Sequence, residues 1–301
     1  MTRAPALSEM DERQHRGPSS PNGSRSIPID LGTGPLVLLV HGQPGNGRIW
    51  WSVAEELQPD FRVVAPDRPG WGAHPRPATD LRGNALALAR VVEDRELLQE
   101  GEKAVVVGHS LGGGVALELA LRRPDLVGAL VLVGSAGVAA ALNGLDRLLA
   151  VPLVGDGLLR ASGALMRRGV LAARRLSRAG AVETALERAS RLPSVRAVLA
   201  EGDHPMDARG RRAFLVEQRA LIQETPSLEE RLPTLRLPAA ILHGAADHIV
   251  SPAAARDLAE AIPGAELHLE AGSGHRLAFE RPELVAETVR RYCRLAGITG
   301  G

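Results

Sequence analysis

The stretch Val105–Glu118 restricts the possible folds of this chain more than any other part of the sequence. Its residues are apolar up to Gly108, and from Gly112 onward they follow a helical period. A buried strand therefore turns sharply into a helix, with Ser110 at the corner. Gly108 and Gly112, two positions before and after the serine, have no side chains that would clash in so strained a turn. We therefore expect the Ser110 hydroxyl to project beyond the sheet edge as a nucleophile.

Two other interpretations of residues 108–112 remain open at this point. Glycine-rich turns of this kind occur by chance, and glycine-rich loops also bind phosphate groups. The usual phosphate-binding loop needs a lysine after its glycines, but the only lysine of the chain, Lys103, precedes them. The nucleophile interpretation therefore depends on suitable partners elsewhere in the chain.

Apolar runs typical of buried strands alternate with helical segments over most of the chain. This alternation predicts an α/β fold in which a mostly parallel, twisted sheet of about seven or eight strands carries helices on both faces. Ligands of such a sheet bind beyond the carboxyl ends of its strands. The predicted strands are Ser26–Leu31, Leu36–Val40, Arg62–Ala65, Val105–Val107, Ala129–Val133, Ala239–Leu242 and Glu266–Leu269. The predicted helices are Trp50–Leu57, Asp80–Leu97, Val115–Arg122, Ala253–Ala261 and Pro282–Leu295.

The alternation is interrupted between residues 138 and 232, where about three helical segments follow one another without a convincing strand. We interpret residues 138–232 as a helical cap inserted into a core formed by residues 26–137 and 233–301. Both insertion points follow strands on their carboxyl side, so the cap should cover Ser110 as a lid. Residues 1–25 lack apolar runs and are expected to form a disordered tail.

Composition argues against several functional classes. The chain has 36 Lys and Arg against 35 Asp and Glu, so nothing points to nucleic-acid binding. Its single cysteine, Cys293, excludes an internal disulfide, and residues 1–25 lack the apolar core of a signal peptide. These features predict a cytoplasmic protein. Residues 126–145 are uncharged, but their glycines favour a buried strand and a loop over a membrane span.

Ser110 needs a base and an acid that orients the base, and two downstream loops supply these residue types. His275 lies in a glycine-rich loop after the last predicted strand, and Asp247 lies in the loop after the strand before it. Because the carboxyl ends of parallel strands share one sheet edge, we expect the three side chains to converge as a catalytic triad. Their order along the chain differs from the orders of the two common serine-protease families.

Each downstream member of this triad also has another interpretation. Asp247 could cap the helix near Pro252, and His275 could be a loop histidine bonded to the backbone. His243 and His109 are alternative bases. His243, however, ends a buried strand, and a residue in the position of His109 points away from the nucleophile.

Acyl transfer also needs two backbone N–H donors for the negatively charged oxygen of the transition state. The N–H of Leu111, at the start of the helix after the turn, is one candidate for this oxyanion hole. The second is the N–H of Gln43 in the loop after Leu36–Val40, because Pro44 has no N–H. That loop could also be a turn that only ends a strand. The histidines lack the spacing of metal ligands, so we expect neither a metal nor another cofactor.

Together these motifs resemble the α/β-hydrolase superfamily, in its capped branch with a serine nucleophile. The resemblance implies the α/β-hydrolase fold, a structural role for Asp67, and hydrolysis of a carboxylic ester or related acyl compound through an acyl-enzyme. The serine at the elbow differs from the aspartate nucleophile of haloalkane dehalogenases and epoxide hydrolases. The matching motifs are His41–Gly45, Asp67–Gly72, the elbow Gly108–Gly113, Gly244 with Asp247, and Gly274 with His275.

The same resemblance leaves other functions open. Similar sequences cleave a carbon–carbon bond in diketones or act as perhydrolases with the same triad, and the fold can also serve as a small-molecule receptor. The room before Leu36 holds one strand, Ser26–Leu31. The usual first hairpin is therefore expected to be incomplete, which would leave seven strands instead of eight.

Residues 158–178 of the cap have a basic face and an apolar face. A segment of this kind can lie on an anionic membrane surface, which predicts a weak membrane contact. In the alternative, which we favour, the arginines are solvated and the apolar face covers Ser110. Either arrangement predicts a small substrate with a hydrophobic acyl or alcohol group. The basic face consists of Arg160, Arg167, Arg168, Arg174, Arg175 and Arg178.

Overall fold

The computed structural model describes residues 26–163 and 207–298. Its strands are Ile29–Leu31 (β1), Leu36–Val40 (β2), Arg62–Ala65 (β3), Ala104–His109 (β4), Val127–Val133 (β5), Ala239–Gly244 (β6) and Glu266–Glu270 (β7). They form one sheet of seven strands in the order β1-β3-β2-β4-β5-β6-β7. β1 runs antiparallel to β3, and the other neighbours pair in parallel. The predicted mostly parallel sheet is confirmed.

Helices cover both faces of the sheet, as predicted. They are Trp51–Leu57 (α1), Leu81–Asp94 (α2), Leu111–Arg122 (α3), Gly144–Ala150 (α4), Ala208–Glu229 (α5), Pro252–Ala261 (α6), Leu277–Glu280 (α7) and Pro282–Leu295 (α8). Residues 154–163 are helical as well. Successive side chains of a strand point to opposite faces. Leu38 and Val106 accordingly join the apolar cluster beneath α2, α3 and α6, whereas Val37 and Val105 join the cluster beneath α1 and α8.

Several boundaries differ from the prediction, among them the start of β1, which begins at Ile29 and not at Ser26, the turn around Ser110 and the end of α2. β4 extends to His109 and α3 begins at Leu111, so Ser110 alone makes the turn between strand and helix. The prediction began this helix later because glycines, which have low helix propensity, fill its first turn. α2 ends at Asp94, earlier than predicted, because Glu96 adopts a positive φ of 48° that no helix continues through.

The described part of the predicted cap consists mainly of α4, α5 and the helical residues 154–163. α5 packs against α2, α3 and α4. Its Leu221 and Leu228 belong to the same apolar cluster as the inner face of α3. The division of the chain into core and cap, and the position of a lid over Ser110, stay predictions.

Several predicted features lie outside the described residues, namely the tail 1–25 and five of the six arginines of the basic face. The sixth, Arg160, is described, and its Nε donates to Oδ2 of Asp156 at 2.6 Å. The weak membrane contact therefore stays a prediction. Among the helices of residues 26–163 and 207–298, none combines the length and the apolar character that a membrane span requires.

Candidate active site

Ser110 lies in the turn between β4 and α3, and its backbone has the strain expected of a nucleophile elbow. Its φ of 54° and ψ of −127° are rare for any residue other than glycine. Its backbone N–H donates to the Val133 oxygen at 3.1 Å. A Cβ on Gly108 would lie 2.6 Å from the Gly112 oxygen, and a Cβ on Gly112 would lie 2.4 Å from the Val40 oxygen. Only glycine fits at these two positions, which agrees with the prediction for the turn.

The loops after β6 and β7 bring Asp247 and His275 together. Nδ1 of His275 lies 2.8 Å from Oδ2 of Asp247. Oδ1 of Asp247 accepts the backbone N–H of Ile249 at 2.8 Å and that of Val250 at 3.0 Å. Burial acts to raise the pKa of Asp247, but the hydrogen bond and charge of His275 outweigh it, and the pKa lies below its ordinary value. The ionised carboxylate is therefore fixed in place, while Ser251, not Asp247, caps α6.

This pair lies beside the elbow, at the carboxyl edge of the sheet. Gly134, which follows β5, borders both side chains: a Cβ built on it would lie 3.4 Å from Nδ1 of His275 and 3.6 Å from Oδ2 of Asp247. The residue before it, Val133, accepts the hydrogen bond from the Ser110 amide. The fold thus places Ser110, Asp247 and His275 at one edge, and their catalytic roles stay predictions.

The two alternative bases, His109 and His243, are both bonded to the backbone. Nε2 of His109 lies 2.9 Å from the His275 oxygen, and Nε2 of His243 lies 3.0 Å from the Val250 oxygen. Burial and the charge of His275 lower the pKa of His109 to about 3. Burial also lowers the pKa of His243 below its ordinary value. Each ring is therefore neutral at pH 7 and donates from Nε2 to a carbonyl oxygen, an arrangement that suits a structural role.

The loop after β2 lies directly against the nucleophile. A Cβ built on Gly42 would lie 2.9 Å from Cβ of Ser110, so the peptide that joins Gly42 to Gln43 borders this side chain. Leu111 is the first residue of α3, and N–H groups in the first turn of a helix have no carbonyl partner within the helix. Both positions suit the predicted oxyanion donors. The Gln43 side chain is engaged elsewhere, because its Nε2 donates to Oε1 of Gln218 at 2.9 Å.

Asp67 connects two loops at this edge of the sheet. Its Oδ1 accepts the backbone N–H of Gly47 at 2.9 Å, and its Oδ2 accepts that of Ala73 at 2.8 Å. Burial raises the pKa of Asp67, and the two N–H donors oppose this shift. These contacts agree with the structural role that the resemblance implies.

A buried polar cluster beside the same loop was not predicted from the sequence. It is built on Arg68 and Glu217, with Trp71 and Asn84 as further partners of the carboxylate. Arg68 comes directly after a buried strand and next to Asp67, and this position indicates a role at the same edge of the sheet. The sequence gives no such indication for Glu217, because it is one of several charged residues on the long helix α5. Across the two described stretches, no group of three or more His, Cys, Asp or Glu side chains could hold a metal ion.

Comparison with known sequences identifies relatives over most of the chain. The sequence profile of the family with the alpha/beta hydrolase fold matches residues 35–282. An uncharacterized protein of Mycobacterium tuberculosis is 31% identical over 265 residues, which cover 87% of this chain and 76% of that protein. A pimeloyl-[acyl-carrier protein] methyl ester esterase of Vibrio atlanticus is 30% identical over 261 residues, which cover 81% of this chain and 88% of that protein.

Solved structures with the same fold include two enzymes of known type. A thermophilic esterase from Thermogutta terrifontis is 27% identical, with a TM-score of 0.63 over 89% of this chain and 92% of that chain. A meta-cleavage product hydrolase from Pseudomonas fluorescens is 26% identical, with a TM-score of 0.58 over 89% of this chain and 93% of that chain. The chain belongs to the α/β-hydrolase fold family. It is accordingly a hydrolase.

Proposed function

We propose that the protein is a serine esterase that cleaves a carboxylic ester or related acyl compound with a hydrophobic group. The observation that carries this proposal is the 2.8 Å contact between His275 and Asp247 beside the strained elbow of Ser110. A serine hydroxyl is a weak nucleophile unless a neutral histidine takes its proton, and an acid must hold that histidine in the correct tautomer. The esterases among the relatives support an ester as substrate.

In the proposed reaction the Ser110 Oγ attacks the carbonyl carbon while Nε2 of His275 takes the hydroxyl proton. The N–H groups of Gln43 and Leu111 bind the oxyanion. The tetrahedral intermediate then expels the alcohol, which receives the proton from His275, and an acyl-enzyme remains. Water, deprotonated by His275, attacks the acyl-enzyme, and His275 returns that proton to the Ser110 Oγ as the acid is released. Asp247 stays ionised throughout and stabilises the imidazolium.

Contacts near the loop after β2, which carries the proposed oxyanion donor Gln43, support a hydrophobic substrate. Gln218, which is bonded to Gln43, places its Nε2 3.0 Å from Oδ1 of Asp146 in α4. α4 is therefore linked through Gln218 to the loop that carries Gln43, and its Leu145 and Leu148 are exposed apolar side chains. Apolar surface beside a few polar groups is typical of sites for small hydrophobic ligands. α4 belongs to the proposed lid, residues 138–232, which would place this apolar surface over Ser110.

Labelling with a fluorophosphonate, followed by a panel of p-nitrophenyl esters, tests the proposal. We expect covalent labelling of Ser110 and faster hydrolysis of uncharged, hydrophobic acyl groups than of charged ones. Labelling of a different serine, or failure to hydrolyse any ester in the panel, would contradict the proposal.

Cleavage of a carbon–carbon bond is the second candidate, because a meta-cleavage product hydrolase is among the structural relatives. Adding a vinylogous diketone to the substrate panel distinguishes the two reactions. An esterase should cleave it at least about 100-fold less efficiently than its best ester, a difference of about 3 kcal/mol in activation free energy. A receptor on this fold would turn over neither compound.

A further inference from the structure

The side chain of Arg68 is fully buried beneath residues 41–43, the loop that carries the proposed oxyanion donor. Its Nε donates to the backbone oxygen of His41 at 2.8 Å, and its Nη2 donates to that of Gly42 at 3.0 Å. A guanidinium ion is tolerated in the protein interior only when acceptors bind its N–H groups and an anion balances its charge. Two of these N–H groups donate to residues 41–43, which we call the oxyanion loop.

The bond to Gly42 fixes the direction in which the Gln43 N–H points. The Gly42 C=O and the Gln43 N–H belong to one peptide unit, and because that unit is planar and trans they point to opposite sides. A donor that holds the oxygen on one side therefore aims the N–H to the other. A charged donor also polarises the peptide, which strengthens its N–H as a hydrogen-bond donor.

His41 supplies a second donor to the same oxygen. Its Nδ1 lies 2.8 Å from the Gly42 oxygen, and its Nε2 lies 3.0 Å from the backbone nitrogen of Arg68. Since the Arg68 N–H can only donate, Nε2 accepts, and the proton of the neutral ring is on Nδ1. Burial and the charge of Arg68 hold the pKa of His41 well below its ordinary value. Both donors to the Gly42 oxygen thus depend on Arg68.

The other side of the Arg68 guanidinium is bound by Glu217 in α5. Nη1 donates to Oε1 of Glu217, and Nη2 lies 3.3 Å from Oε2. Glu217 is 1% exposed and also accepts from Nε1 of Trp71 at 2.9 Å and from Nδ2 of Asn84 at 3.4 Å. The next residue of α5, Gln218, binds the same loop through a side chain. α5 therefore contacts the oxyanion loop directly and through Arg68.

We infer that Arg68 and Glu217 are positioning residues of the oxyanion hole. Glu217 neutralises and orients the guanidinium, and Arg68 holds the peptide between Gly42 and Gln43 so that its N–H faces the substrate. The inference rests on the proposed esterase function, and it means that α5, through Glu217, helps to position an oxyanion donor. Because the oxyanion develops only toward the transition state, the pair should control kcat and leave KM nearly unchanged.

Two substitutions test the inference, Glu217→Gln and Arg68→Lys. The first removes the negative charge and one acceptor. The second keeps the positive charge but replaces three nitrogens in a planar fork, which reach His41, Gly42 and Glu217 separately, with a single nitrogen. For both we expect kcat on a p-nitrophenyl ester to fall about 10- to 100-fold, with KM within about threefold of wild type. Affinity for a boronic acid that mimics the tetrahedral intermediate should fall by the same factor as kcat.

Glu118→Gln is a matched control. Glu118 is 2% exposed and pairs with Arg122 and Arg231, whose side chains are partly exposed, so its variant also removes a buried carboxylate charge from its ion pairs. We expect it to lower Tm as Glu217→Gln does, while kcat and boronate affinity stay at the wild-type values. Wild-type kcat and boronate affinity in Glu217→Gln would overturn the inference, because the pair would then be only structural.

Trp71→Phe keeps the inference testable if Glu217→Gln does not fold. This variant removes a single N–H donor to the Glu217 carboxylate, so kcat and boronate affinity should fall together by a smaller factor, about two- to fivefold. Unchanged values would again overturn the inference. Failure of the wild-type protein to react with a fluorophosphonate at Ser110 would refute the proposed function itself, and the inference with it. A labelled wild type with unaffected variants would refute the inference alone.

Discussion

The ring of His109 joins the elbow to the loop of the proposed base, because its Nε2 lies 2.9 Å from the backbone oxygen of His275, 166 positions further along the chain. Trp50 and Phe279 pack edge-on against the same ring. Its Nδ1 is buried and has no hydrogen-bond partner among the described residues. A proton on this nitrogen would be left unsatisfied, so the folded state favours the neutral ring.

This arrangement predicts that acid weakens the fold. The pKa of His109 is about 3 in the folded state and about 6.5 in the unfolded chain. Between these two values the unfolded chain binds a proton at His109 and the folded chain does not, so the free energy of unfolding decreases as the pH is lowered. Protonation of His109 in the unfolded chain should lower the free energy of unfolding by about 2 kcal/mol between pH 7.5 and pH 5. Urea unfolding at both pH values measures the loss, and His109→Asn should reduce it. His248→Asn, at an exposed loop position, is the control and should leave the loss unchanged.

Ser110→Ala should abolish fluorophosphonate labelling and lower kcat by at least about 1,000-fold, since only binding and the oxyanion donors would remain. Alanine occupies the same strained backbone as serine does, so Tm should stay close to that of wild type. Labelling with mass spectrometry, ester kinetics and a thermal melt provide the three measurements. Activity within about tenfold of wild type would place the nucleophile elsewhere.

Asp247→Asn should lower kcat by about 100- to 10,000-fold, because an amide can no longer hold Nδ1–H of His275 or stabilise the imidazolium. Slow labelling of Ser110 should persist, since the substitution leaves the oxyanion loop intact. Asp67→Asn is a suitable comparison, because Asp67 is also a buried carboxylate that binds backbone N–H groups. It should lower Tm but keep kcat within about tenfold of wild type. A fully active Asp247→Asn variant would mean that another carboxylate orients His275.

Gly112→Ala should destabilise the fold by about 3 kcal/mol, because its Cβ would lie 2.4 Å from the Val40 oxygen and 2.5 Å from the His41 oxygen. Gly144→Ala is the matched control, since a Cβ there meets no atom within 4 Å at the start of α4. It should be neutral or stabilise by up to about 1 kcal/mol. Chemical unfolding of both variants gives the comparison, and equal stabilities would contradict the close approach at Gly112.

The central strands of the sheet could be predicted from sequence because they are short, mostly apolar runs that end at loops rich in turn-forming residues. Leu36–Val40 and Arg62–Ala65, for example, have the predicted bounds. The placement of Ser110, Asp247 and His275 at one edge follows from topology alone, since parallel strands align their carboxyl ends.

The Arg68–Glu217 pair could not be predicted in this way. The two residues are 149 positions apart, and their contact depends on the angle at which α5 packs against the rest of the protein. No local propensity or periodicity encodes that angle. A glutamate on a helix with many charged residues gives no sign of whether it faces solvent or a buried cation.

The burial of Arg68 against Glu217 limits how the substrate range of this enzyme can be altered. Exchange of residues 138–232 for a segment without an acidic residue at position 217 would leave the buried guanidinium of Arg68 without its counter-ion. Such a buried, unpaired charge costs about 3–5 kcal/mol, which is a large part of the stability of most proteins. A working chimera therefore needs an acidic residue at position 217 wherever it keeps Arg68.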